Sequence, residues 1–150
     1  MTDATAPTRT AHPRVEKLFV ERWSPRSFDE SSISDEDLAV IFEAAALAPS
    51  AYNYQPWKFL YAKRDDANWD RFLSLLIPFN ASWVKDAAVL IFIVSDSQMG
   101  EGTEASPSHT HSFDAGAAWA LMSLQATAMG YHAHGMIGLD LERARRELQI

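Results

Sequence analysis

A chain of 150 residues is one domain's worth, long enough to bury roughly 68–70% of the surface its unfolded form exposes, so a core forms without covalent staples. Cysteine is absent, which excludes disulfides, thiolate metal sites and a cysteine nucleophile and fits a reducing, cytoplasmic setting. With 20 acidic against 13 basic residues the net charge is -7, the wrong sign for a nucleic-acid surface, and the longest apolar run, Ala87 to Val94, falls far short of the ~20 residues that span a membrane.

Residues 1–12 are polar, lack the apolar stretch of a signal peptide and read as a flexible tail before a single domain over residues 13–150. Val15, Leu18, Phe19 and Arg22 then fall at helical spacing after Pro13, predicting a short helix over 14–22. Pro25 makes residues 23–28 an extended or turning connection. Ser34 caps the next helix, with Asp37 placed to reach back as a capping-box acid and Ile33 placed to staple onto Leu38. Its stripe of Leu38, Ile41, Phe42 and Ala45 runs to about Leu47, and Pro49 closes it.

Residues 51–56 form a loop, and Trp57, Phe59 and Tyr61 alternate along a strand over 57–63. Trp69, Phe72, Leu73 and Leu76 restore the helical period until Pro78 ends it. The continuous apolar run 87–94 reads as a central strand covered on both faces. Residues 95–110 form a longer connection than usual, a lid or a disordered loop.

A helix over 113–129 follows, lined with alanine and glycine so that another backbone can approach. Trp119 stands on it as an apolar anchor of the kind interfaces favour, and Gly130 supplies a left-handed cap. Residues 131–138 read as glycine-punctuated strand or turn. Asp140 then caps a last helix over 141–149 with Leu141, Ala144 and Leu148 inward. This order predicts an α+β or mixed three-layer arrangement, and the lack of a strand followed by a glycine fingerprint disfavours a doubly wound nucleotide fold.

Three sets of residues could carry chemistry. Arg22, Ser24 and Arg26 lie within one irregular segment, where two guanidinium forks and a hydroxyl suit a phosphate monoester; a solvated charged turn is the plainer alternative. Between Pro49 and Pro56, a loop that also carries aromatics, the amides of Asn53 and Gln55 can donate and accept at once, which suits the edge of a flavin or nucleobase. They could equally satisfy the loop's own backbone. His109 with His111 and His132 with His134 could hold zinc if the two pairs faced each other, but the spacing matches no metal signature and surface or satisfied histidines are the favoured reading. No G-x-S-x-G elbow supports a hydrolase.

Taken together, the stretches Arg22 to Phe28, Ala48 to Trp57 with its following strand, the small-residue helix ending at Tyr131, and Gly135 to Asp140 resemble the nitroreductase family in its usual order, over Val15 to the end of the chain. The resemblance implies an α+β fold in three layers, a central mixed or antiparallel sheet flanked by helices. It implies FMN held without covalent linkage at the interface of a homodimer, and ping-pong transfer of electrons from NADH or NADPH to a nitroaromatic, quinone or similar acceptor. Carried onto this chain, Arg22, Ser24 and Arg26 would hold the phosphate and pyrimidine side of the cofactor. Pro49, Ser50 and Asn53 would reach it from the second subunit, and the backbone around Ile137 and Gly138 would meet the ring near N5. No side chain is expected to act as acid, base or nucleophile, because the cofactor carries the reactive centre.

Two departures from the family pattern stand out. Trp23 occupies a position where the family often has a basic residue. The family pattern also continues past the position of Ile150, with a further strand and a tail that wraps the partner and brings another basic residue toward the phosphate. A non-catalytic flavin-binding relative and a histidine-based metal module are the alternative readings.

Overall fold

The computed structural model describes residues 8–150. The expected tail lies outside the described residues over 1–7, while residues 8–12 are exposed and irregular. Pro13 serves a turn closed by Val15 N–H to His12 O (2.9 Å), where its fixed φ suits the second position. The first helix is therefore confined to α1, Lys17–Glu21.

Helix α2, Asp35–Ala46, is capped as its sequence requires: Ser34 Oγ accepts from Asp37 N–H at 2.9 Å, and Asp35, Glu36 and Asp37 put negative charge on the first turn. The Asp37 carboxylate does not reach back to the cap. Instead it accepts a 2.6 Å hydrogen bond from Tyr131 OH, which raises the phenol's pKa by favouring its protonated form. Leu38, Ile41 and Ala45 are buried, whereas Leu47, beyond the last turn, is 78% exposed.

Strand β1, Trp57–Lys63, pairs antiparallel with β2, Val89–Ser95, in a register running from Trp57 opposite Ser95 to Lys63 opposite Val89. Successive side chains of a strand point to opposite faces, and both faces here are covered. Phe59, Val89, Ile91 and Ile93 pack against the cluster built on α2 and α5 (His111–Ala128), while Leu60, Ala62, Leu90 and Phe92 join a second cluster. That second cluster draws Trp69 and Phe72 from α3 (Trp69–Leu73), Val84 from α4 (Pro78–Val84) and Leu148 from α6 (Leu141–Leu148). The result is an α+β molecule of three layers with an antiparallel sheet between helices.

Several local expectations change. Pro78 does not end a helix but opens α4 at its first position, where a residue lacking N–H costs nothing; the preceding helix stops earlier, and Leu76 makes a single antiparallel bridge to Leu139. Residues 95–110 are not an unstructured connection. They contain a small hairpin of β3, Gln98–Met99, and β4, Ser106–Pro107. Gly100, at φ 89°, supplies the left-handed turn between them.

Helix α5 begins two residues before expectation and ends in a Schellman cap, with Tyr131 N–H on Ala126 O and Gly130 N–H on Thr127 O. Residues 131–138 form no strand. Asp140 caps α6 through Arg143 N–H at 3.0 Å, but Leu141 is exposed and only Ala144 and Leu148 turn inward. Trp119 is half-buried in the core and lies so close to Gly135 that a Cβ there would stand 3.2 Å from its indole. Among the described residues no helix is long and apolar enough to cross a membrane.

Candidate functional site

A cavity of about 580 Å³ opens between the start of α4 and residues 134–138, with Arg26 on its rim. Its floor is fastened at Gly138, whose carbonyl accepts from both Ile77 N–H and Asn80 Nδ2 at 3.1 Å. Only glycine fits there: a Cβ would run into Asn80 Nδ2 and stand 2.8 Å from Ile77 Cδ1. The walls are Ile77, Phe79, Trp83, Met136 and Ile137, an apolar lining with a few polar groups among them, which is the usual make-up of a small-molecule site. One of those polar groups, Trp83 Nε1, is buried with no hydrogen-bond partner among the described residues.

Of the residues singled out from sequence, Arg26, Ile137 and Gly138 line this cavity. Arg22 and Ser24 do not line it but lie on the same irregular segment, joined by Arg22 Nη1 donating to Ser24 Oγ at 3.3 Å. Among the described residues neither Arg22 nor Arg26 pairs with a carboxylate, which leaves both guanidinium groups available to an anion.

Pro49, Ser50 and Asn53 are elsewhere and take no part in the cavity wall. Ser50 Oγ accepts from Gln55 N–H (3.0 Å), and Gln55 Nε2 donates to Ala46 O (3.1 Å), so these two groups serve the loop itself. Ala51 N–H is held by the Asp114 carboxylate of α5 at 3.2 Å, and that carboxylate, 4% exposed, also accepts from Thr110 Oγ1 at 2.9 Å. Asn53 is exposed and left-handed (φ 55°), and it sits beside Tyr52, which is 93% exposed.

The histidine pairs do not face each other as a metal site would need. His111 Nδ1 lies 2.7 Å from Ser95 Oγ. His132 meets Trp23 edge-on at 5.7 Å between ring centroids, and His134 Nδ1 lies 2.8 Å from Pro25 O while its ring packs on Trp83 at 4.8 Å. Ile77, Phe79, Asn80 and Trp83 are cavity residues that sequence reading missed, and His134 was weighed only as a metal ligand. Asn80 and Trp83 sit on a helix hidden behind the reading of Pro78 as a stop, and the histidine partners lie far away in sequence.

The chain matches the family model described as "Nitroreductase family" over residues 19–77. A solved oxidoreductase containing FMN is 46% identical, with a TM-score of 0.91 over 97% of this chain and 75% of its own. The oxygen-insensitive NADPH nitroreductase of Helicobacter pylori is 33% identical over 85 residues, 56% of this chain and 40% of that protein. The major NAD(P)H-flavin oxidoreductase of Aliivibrio fischeri is 42% identical over 57 residues, 37% of this chain and 26% of that protein. The matched segments thus span less than half the length of these two relatives.

Proposed function

The chain belongs to the nitroreductase family, and from that premise we propose that it is an FMN-dependent oxidoreductase passing electrons from NAD(P)H to a nitroaromatic, quinone or similar small acceptor. The observation that carries this reading is the meeting of Arg26 with the adjacent pair Ile137 and Gly138, far from it in sequence, at one cavity. The residues present fit the cofactor: the volume suits a ligand of that size, the walls are apolar and aromatic, and the buried Trp83 N–H has no partner among the described residues. FMN when bound supplies the hydride and electron chemistry, and the protein's share is binding and orientation.

Arg26, with Arg22 and Ser24 on the same segment, would hold the phosphate and pyrimidine side. The Ile137–Gly138 backbone would face the ring, with Asn80 fixing the Gly138 carbonyl. Pro49, Ser50 and Asn53 do not line the cavity of their own chain, which supports a homodimer in which they reach the partner's cofactor. Leu47, Tyr52 and Phe113 are 78%, 93% and 81% exposed. The Ala51–Asp114 bond brings Tyr52 and Phe113 to one region, and exposed apolar groups gathered there suit a surface covered by another copy.

Fluorescence titration with FMN and riboflavin tests the cofactor, and NAD(P)H oxidation by FMN-loaded protein with a quinone acceptor tests turnover. Tighter binding of FMN than of riboflavin, lost in Arg26→Ala, is the expected result; equal affinity for the two flavins in the wild type overturns the phosphate assignment. Binding without turnover would leave a non-catalytic flavin protein. Sedimentation equilibrium at tens of micromolar separates dimer from monomer.

A further inference from the structure

We propose that His134 is a positioning residue for the anion-binding segment, setting Arg26 on the cavity rim through its hydrogen bond to the Pro25 carbonyl; the inference rests on the FMN reading above. Residues 23–28 take part in no backbone–backbone hydrogen bond among the described residues, so their path depends on side chains from elsewhere. Pro25 is buried and has no N–H, and a buried carbonyl needs a donor. His134 Nδ1, 2.8 Å away, is that donor.

A carbonyl only accepts, so Nδ1 carries the proton, and in the neutral ring Nε2 is bare. The imidazole is itself held by Trp83, at 4.8 Å and 32°, and Trp83 stacks on Phe28 at 6.2 Å and 25°. Two residues earlier on each segment, His132 meets Trp23. Residues 23 and 25 therefore lie alongside 132 and 134, running in the same direction, with Arg26 the next residue along. The histidine pair that could have been read as metal ligands is the fastening between the arginine segment and the turn carrying Gly138.

The test compares His134→Leu, which removes the donor, with His134→Asn, whose amide N–H can replace Nδ1–H. Each is titrated with FMN and with riboflavin by fluorescence quenching, after circular dichroism has established that it is folded. A placement of Arg26 that depends on His134 predicts that His134→Leu loses about tenfold of the preference for FMN over riboflavin and that His134→Asn regains most of that preference. A general loosening would weaken both flavins alike, and that result, or an unchanged preference in His134→Leu, overturns the role. Independently of any flavin, histidine 15N chemical shifts of the wild type should show the Nδ1–H tautomer, and an Nε2–H tautomer also overturns it. Should the wild type itself not distinguish the flavins, the phosphate assignment fails and this role with it, and should it bind neither, the cofactor reading fails; both results are separate from failure in the variants alone.

Discussion

Residues 22–28 and 49–56 both lie outside the longer helices and strands, the second with a single 3-10 turn at Ala51–Asn53, and both are interrupted by proline and rich in polar side chains, yet they are held by different means. The second segment satisfies part of itself, since Ser50 and Gln55 bond its own backbone and the end of α2, and it is also anchored at a distance by Asp114 on Ala51 N–H, by Tyr54 OH donating to Gln98 O, and by Asp96 N–H donating to Pro56 O. It also holds Tyr52, Asn53 and Gln55 at φ 53–55°, a left-handed conformation that costs roughly 1–2 kcal/mol for most residues and less for asparagine, so those bonds offset strain. The first segment has no such internal network beyond Arg22 with Ser24 and takes its shape from His132, His134 and Trp83. A loop with several internal bonds and several anchors keeps more of its form when one distant residue changes than a segment fastened through a few side chains from one turn.

That contrast can be broken first at Gly138. Gly138→Ala drives a methyl group into Asn80 and Ile77, and overpacking of this kind should destabilise the fold by about 3 kcal/mol, measured by urea unfolding, with flavin affinity falling in parallel. On the other side, Asp114→Ala removes the buried acceptor of Ala51 N–H and Thr110 Oγ1. It should cost about 2 kcal/mol while leaving the Nδ1–H tautomer of His134 in place, because the two segments are held separately. A change in that tautomer would dissolve the contrast.

Ser50→Ala deletes a single internal bond to Gln55 N–H and should cost about 1 kcal/mol in the same unfolding assay. The smallest effect is a pH dependence. Tyr131 has its pKa raised by donating to Asp37, so its contribution to stability is present below the unfolded phenol value near 10 and is lost as pH rises through the higher folded value. Thermal melts from pH 9 to 11.5, as a conservative range around that value, should show a decline in the wild type that Tyr131→Phe lacks.

What the chain declares on its own are features that a few consecutive residues suffice to specify. The Ser34 and Asp140 caps, the Gly130 left-handed turn and the bounds of β1 all follow from side-chain oxygens, φ preferences and apolar spacing acting within a turn or two. The family motifs likewise named Arg26, Ile137 and Gly138 before any cavity was visible. Short signals with two meanings failed: Pro78 has the chemistry of a helix stop and of a helix start, and only the packing of Val84 into the second cluster selects the start. Tertiary structure alone decided that His134 donates to a carbonyl 109 positions away, that Asn80 locks Gly138, and that Pro49, Ser50 and Asn53 stand outside the cavity of their own chain. The physical reason is that a hydrogen bond or ring contact depends on where the chain has been folded to, and no local pattern of residues encodes a partner that only the meeting of layers brings within reach.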